Sequence, residues 1–135
     1  MKKQILVGYD DSNASQDVLS QAKMHAQAYN AEVHIVTSMA NGTRKQQAEI
    51  NAAIQGLAYA KEYLKKDGLA CETHLLIRGL SPGEDLVNFG KEHAVDEIII
   101  GVRNKSRVGK LLAGSTSQFI ILMAHCPVLS VKNLS

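Results

Sequence analysis

The residues best suited to chemistry stand together in one segment, Gly101-Val102-Arg103-Asn104-Lys105-Ser106-Arg107-Val108-Gly109-Lys110-Leu111-Leu112-Ala113-Gly114-Ser115-Thr116-Ser117. Arg103, Lys105, Arg107 and Lys110 bring positive charge, with no acid among them. Glycines begin, interrupt and end the run, and Gly114-Ser115 opens a helical pattern. Backbone N–H groups at a helix N-terminus, approached across glycine, form an anion site. Hydroxyls of Ser106, Ser115, Thr116 and Ser117 add donors for phosphate oxygens. On charge and glycine alone, a solvated basic connector accounts for the segment about equally well, since charge clusters are common on loops. Two familiar phosphate motifs are excluded. Gly109-Lys110 resembles the end of a Walker A motif, but Asn104 stands where its first glycine is needed and Leu111 replaces the metal-binding Ser/Thr. No G-x-G-x-x-G follows the first apolar run, so a dinucleotide fingerprint is absent too.

Such a loop works only if rigid elements hold it. Ile5-Leu6-Val7-Gly8-Tyr9 is a short continuous apolar run, as expected of a strand buried on both faces. From Ser15 to Tyr29, Val18, Leu19, Ala22, Ala26 and Tyr29 recur at helical spacing, with Ser12, Asn13 or Ser15 as candidate caps. Val33 to Ser38 reads as a second strand, rich in β-branched residues. Ile50, Ile54, Leu57, Ala60 and Leu64 mark one stripe of a long helix that Asp67-Gly68 should end. Cys71 to Ile77 is a predicted third strand, with Thr73, Leu75 and Ile77 on one face and Glu72, His74 and Leu76 on the other. Ser81-Pro82-Gly83-Glu84 has capping-box spacing and opens a helix carrying Leu86, Val87, Phe89 and Gly90. Glu97 to Ile100 is a fourth strand that Gly101 should end. Residues 114–125 form a last helix with Phe119, Ile120, Leu122 and Met123 on its expected buried side, and Pro127 to Val131 is a closing strand.

Strands alternating with helices predict an open five-stranded parallel sheet, Rossmann-like, with helices on both faces, and the doubly wound order 3-2-1-4-5 is expected. Ligands of such sheets sit outside the carboxyl ends of the strands, where the strand order reverses. The 135 residues suffice for one domain over 1–135 with a core that needs no staples. A net charge of +2 gives no ground for a nucleic-acid or membrane partner. No run approaches the length of a spanning helix, and the apolar start is too short for a secretory signal. Cys71 and Cys126 lie far apart without C-x-x-C spacing, so free thiols in a reducing cytoplasm are expected.

The loop after the fourth strand resembles the nucleotide-binding motif of the universal stress protein family, G-x2-G-x9-G-S/T. Gly101 fits its first position, Gly114 and Ser115 its last two, and every spacing is kept; Asn104 replaces the second glycine. The opening Val7-Gly8-Tyr9-Asp10-Asp11-Ser12-x-x-Ser15 resembles the family's strand followed by D-G-S-x-x-S, with Asp11 in place of glycine. Ile98-Ile99-Ile100-Gly101 and Cys126-Pro127-Val128-Leu129-Ser130-Val131 also match family habits, so the resemblance covers essentially the whole chain. It implies a regulatory protein that binds ATP or AMP. Asp10 is expected at the ribose, the backbone of Ser38 at adenine and the side chain of Ile100 beside the nucleotide. Gly101, Arg103, Asn104, Gly114, Ser115 and Thr116 are expected around the phosphates. Read without the resemblance, Asp10 caps the first helix and Ile100 is core. Asp11 would repel phosphate unless a divalent cation bridged them, which makes Mg²⁺ a candidate companion.

No catalytic set stands out. The five histidines, His25, His34, His74, His93 and His125, show no metal-ligand spacing along the chain, and no metal ligands are assigned. Relatives that adenylate substrates carry an S-G-G-x-D-S loop after the first strand, and residues 7–12 lack its Ser and one Gly. A non-enzymatic nucleotide-binding regulator is therefore expected, with slow ATP hydrolysis at most incidental. The alternative is an interaction module of the same family without nucleotide, favoured by Asn104 and Asp11. The closing strand, Val128 to Lys132, would be a sheet edge, and family members commonly dimerise there, so a homodimer through that strand is expected.

Overall fold

The structure, a computed structural model, describes residues 2–10, 15–40, 46–102 and 114–132. Five strands and four helices follow one another: β1 (Gln4–Gly8), α1 (Ser15–Tyr29), β2 (Glu32–Ser38), α2 (Gln47–Lys65), β3 (Cys71–Leu76), α3 (Pro82–Glu92), β4 (Glu97–Val102), α4 (Ser115–Met123) and β5 (Val128–Lys132). The strands form one parallel sheet in the order β3-β2-β1-β4-β5. This is the architecture expected from the alternation of strands and helices.

Why β1, β2 and β4 read as unbroken apolar runs is clear from the layers. Successive strand residues point to opposite faces, and here both faces are covered. Ile5, Val7, Val33, Ile35 and Ile99 face α1 and α2, meeting Val18, Leu19, Ala22, Leu57, Ala60 and Leu64. Leu6, Val36, Ile98 and Ile100 face α3 and α4, meeting Leu86, Val87, Phe89 and Ile120. Ile5, Leu6, Leu19, Ile35, Ile98 and Ile99 are fully buried. Each such side chain stabilises the fold by about 1.5–3 kcal/mol on the transfer scale, so truncating Ile99 would be felt throughout the sheet.

Four details depart from the sequence-based expectation. Ile54 stands 53% exposed, because the buried stripe of α2 is Leu57, Ala60 and Leu64 and the apolar spacing ahead of it meets no buried surface. On α4 only Ile120 is buried, while Leu122 is 79% and Met123 54% exposed. The run from Phe119 to Met123 is apolar all round, so its spacing could not select a face. β3 ends at Leu76, one residue short, and Ile77 is exposed. β4 continues through Gly101 to Val102, since both pair with β5, opposite Val131 and Lys132; glycine weakens a strand without ending it.

Local chemistry sets the helix ends. Pro82 occupies the first turn of α3 after Ser81, whose hydroxyl donates to the Glu84 carboxylate at 3.0 Å instead of accepting a backbone N–H. Gly68 ends α2 at φ +76, a conformation that costs glycine little. No helix among the described residues is long and apolar enough to cross a membrane.

Candidate functional site

The strand order reverses at β1, whose neighbours β2 and β4 are followed by connections to opposite faces. At the carboxyl ends of these three strands lies a cleft of about 210 Å³. Gly8, Tyr9 and Asp10 form its floor, Val36, Thr37 and Ser38 one wall, and Ile100 and Gly101 the other. Pro82 and Leu86 of α3 and Thr116, Ser117 and Ile120 of α4 close the sides.

Hydrogen bonds hold the exit of β1 in place. Tyr9 N–H donates to the Val36 carbonyl at 2.9 Å, and Thr37 Oγ1 donates to the Tyr9 carbonyl at 2.8 Å. Asp10, the next residue, is thereby carried to the cleft on rigid backbone. Gly8 is required for close approach: a Cβ there would stand 3.1 Å from Ile100 Cγ2 and 3.4 Å from Leu86 Cδ1. On the opposite wall, Ser117 Oγ donates to the Gly101 carbonyl at 3.3 Å and fixes the first turn of α4 against the end of β4. Gly114, the residue before α4, offers no side-chain cap, and a Cβ on it would meet nothing within 4 Å among the described residues. The first turn of that helix thus presents backbone N–H groups and the positive end of its dipole beside the cleft.

A buried carboxylate braces the Ser38 side. Asp85 of α3 is fully buried, accepting from Ser38 Oγ at 2.8 Å and from Arg78 Nε at 2.6 Å. Arg78, about a third exposed, also reaches Glu92 at 3.4 Å. A charge removed from water costs several kcal/mol unless it is paired, so this set holds only as a unit. It ties the end of β2 to α3 and to the turn between β3 and α3.

Of the residues singled out in the sequence, Asp10, Ser38, Ile100, Gly101 and Thr116 line this cleft. Ile100 is buried, 4% exposed, so core and cleft readings both apply to it. Gly114 and Ser115 sit at the start of α4, next to Thr116 but not on the cleft wall. Arg103, Asn104 and Asp11 lie outside the described residues. Sequence reasoning missed Thr37, Asp85 and Arg78. An acid in the first turn of a helix ordinarily reads as a solvated dipole partner, and nothing in the spacing shows that Asp85 turns inward. For Thr37, its place one residue before Ser38 in a β-branched strand was the available signal.

With this geometry in view, the comparisons with known proteins converge. The family model described as "Universal stress protein family" matches residues 1–132. A universal stress protein of Thermus aquaticus is 30% identical, the alignment covering 98% of this chain and 100% of that protein. The structure of a universal stress protein from Archaeoglobus fulgidus superposes with a TM-score of 0.87 at 32% identity, over 98% of this chain and 99% of the other. A universal stress protein structure from the same organism, in complex with dAMP, matches with a TM-score of 0.80 at 30% identity, over 98% of both chains.

Proposed function

The chain belongs to the universal stress protein family, and on that premise we propose that it is a regulatory protein which binds an adenine nucleotide in the cleft at the carboxyl ends of β1, β2 and β4. The observation that carries this reading is the juxtaposition, in one cleft, of an apolar slot, a carboxylate and a helix start whose N-cap residue is glycine. Val36, Leu86, Ile100 and Ile120 suit the faces of a purine. Asp10 suits ribose hydroxyls, which donate to a carboxylate. The first turn of α4, with Thr116 and Ser117, suits phosphate. Arg103 and Asn104 are assigned to the same phosphates from the spacing of Gly101, Gly114 and Ser115. The dAMP held by the A. fulgidus relative supports the same ligand class; ATP or AMP is the nucleotide proposed, with Mg²⁺ as companion of the triphosphate near Asp11.

The role is regulation and not turnover: the nucleotide shifts the protein's conformation or its choice of partner. The protein acts in the cytoplasm as a homodimer through β5, the sheet edge at which Val131 is buried while Leu129 and Val128 are only partly covered. The apolar residues that α4 leaves exposed, Ile121, Leu122 and Met123, add a surface that a second copy would cover.

Denaturing extraction of freshly purified protein, with mass analysis of the released small molecules, tests the nucleotide reading. Adenine nucleotide near one equivalent per chain is expected. An empty extract together with no heat on titrating ATP and Mg²⁺ overturns it, in favour of a nucleotide-free dimeric interaction module, which the Asn104 and Asp11 departures would then explain.

A further inference from the structure

Beside the cleft-lining Val36, toward the amino ends of the strands, β2 and β3 bring three metal-ligating side chains together. Register pairs His34 with Glu72 and Val36 with His74, so His34, Glu72 and His74 share the face covered by α3. His34 Nδ1 lies 3.2 Å from His74 Nε2, and Glu72 Oε2 lies 3.8 Å from the first nitrogen and 3.6 Å from the second. Ligands bonded at about 2.0–2.2 Å around a tetrahedral zinc ion stand roughly 3.3–3.5 Å from one another. The three separations fall on either side of that value, so the donors need shift only by tenths of an ångström.

We propose that His34 Nδ1, His74 Nε2 and the Glu72 carboxylate form a Zn²⁺ site with its fourth position open to water. The surroundings support the assignment beyond distance. His34 Nε2 meets Gln4 Oε1 at 2.8 Å, and Gln4 Nε2 in turn donates to Glu32 Oε2 at 3.1 Å. An amide oxygen only accepts, so His34 carries its proton on Nε2 and leaves the Nδ1 lone pair facing His74 and Glu72. A metal-bound histidine has this same outer support, its other N–H given to a carbonyl or carboxylate. Burial and the neighbouring histidine push His34 below the ordinary histidine range, and burial lowers His74, so both are neutral ligands at neutral pH. His93, the residue that caps the C-terminal end of α3, lies beside the cluster, its ring centroid 5.4 Å from that of His34 and 6.0 Å from that of His74. Glu72 has a 71% exposed side chain, which keeps the site open to an ion from solvent.

Two neighbours are not ligands. His93 stacks on the Phe89 ring at 3.8 Å beside the site, and its ring nitrogens are not within 4.8 Å of all three donors, which are within that distance of one another. Cys71 packs on the other face of the sheet, away from the three donors. Without an ion, His74 Nε2–H donates to His34 Nδ1. To bind, His74 passes through exchange with solvent to its Nδ1–H tautomer, so that the freed Nε2 lone pair meets the cation, which takes the place of the hydrogen bond and pins edge strand β3 to β2.

The test uses the untagged full chain, freed of metal by a chelator and stripped of nucleotide, so its result stands apart from the nucleotide reading. Calorimetric titration with Zn²⁺ should give one ion per chain, and Mg²⁺, which disfavours imidazole, should give none. Co²⁺ should develop the visible bands of a four-coordinate site. His74→Gln should weaken Zn²⁺ binding at least 100-fold. Glu72→Gln, at an exposed position that cannot disturb folding, should weaken it about 10-fold or more. His25→Ala, a histidine bonded to Glu97 on the far face, should leave affinity unchanged. Absence of stoichiometric Zn²⁺ binding, or affinity unchanged in either the His74 or the Glu72 variant, overturns the site.

Discussion

Truncating Arg78 to alanine should destabilise the protein more than truncating its partner Asp85, although each removes the same ion pair. The two ends differ in burial: Asp85 is fully buried, whereas the Arg78 side chain is 36% exposed. Without Arg78, the carboxylate keeps only the Ser38 hydroxyl as a side-chain partner among the described contacts. Breaking a buried pair so that a charge stays behind costs about 3–5 kcal/mol; water reaching the emptied guanidinium space places this case near 3. Without Asp85, the guanidinium turns to water and to Glu92, already 3.4 Å away, and Ser38 faces the open cleft. The loss is then one or two charge-assisted hydrogen bonds, about 1.5–2 kcal/mol, with the carboxylate's own desolvation removed. Urea denaturation of the purified proteins at a common pH, followed by circular dichroism, measures both differences. For a domain of this size the Arg78 variant should also melt roughly 10 °C below the parent. An Asp85→Ala loss equal to or larger than the Arg78→Ala loss would refute the argument that burial of the survivor sets the cost.

Gly114→Val should weaken adenine nucleotide binding at least 10-fold in a titration while leaving the melting temperature within about 2 °C, since a Cβ at Gly114 meets nothing within 4 Å among the described residues. Equal affinity would remove the start of α4 from the phosphate site. Light scattering at micromolar concentration should give twice the chain mass, and a charge placed on the exposed face of α4, Leu122→Glu, should return a monomer. A monomeric parent would sink the dimer. The Cys71 thiol, pushed up to about 11 by burial, should be alkylated at pH 8 about 100-fold more slowly than an unperturbed cysteine. Its thiolate appears only as pH rises toward that value, so labelling at the rate of a free thiol would show that β3 opens readily at the sheet edge.

The alternation of apolar runs and helical stripes was enough to determine the layer architecture, because strands buried on both faces need β-branched runs and crossovers need helices between them; the order β3-β2-β1-β4-β5, though expected, is decided by which strands pair. The spacing of Gly101, Gly114 and Ser115 likewise singled out the loop after β4 as an expected anion site, through its resemblance to the family motif. Period alone could not say which side of α4 is buried, since Phe119 to Met123 is apolar on every side and only packing on α3 leaves Ile120 inside and Leu122 out. Nor could it show that Asp85 turns inward to Ser38 and Arg78, because an acid in a first helical turn reads the same whether solvated or paired. The histidines make the point most sharply. Glu72 and His74 are visible as one face of a strand, but His34 is 38 residues away from Glu72 in the chain, and only the parallel register of β2 with β3 brings the three donors within 4 Å of each other. Local periodicity determines which faces exist; long-range strand pairing decides which side chains meet on them.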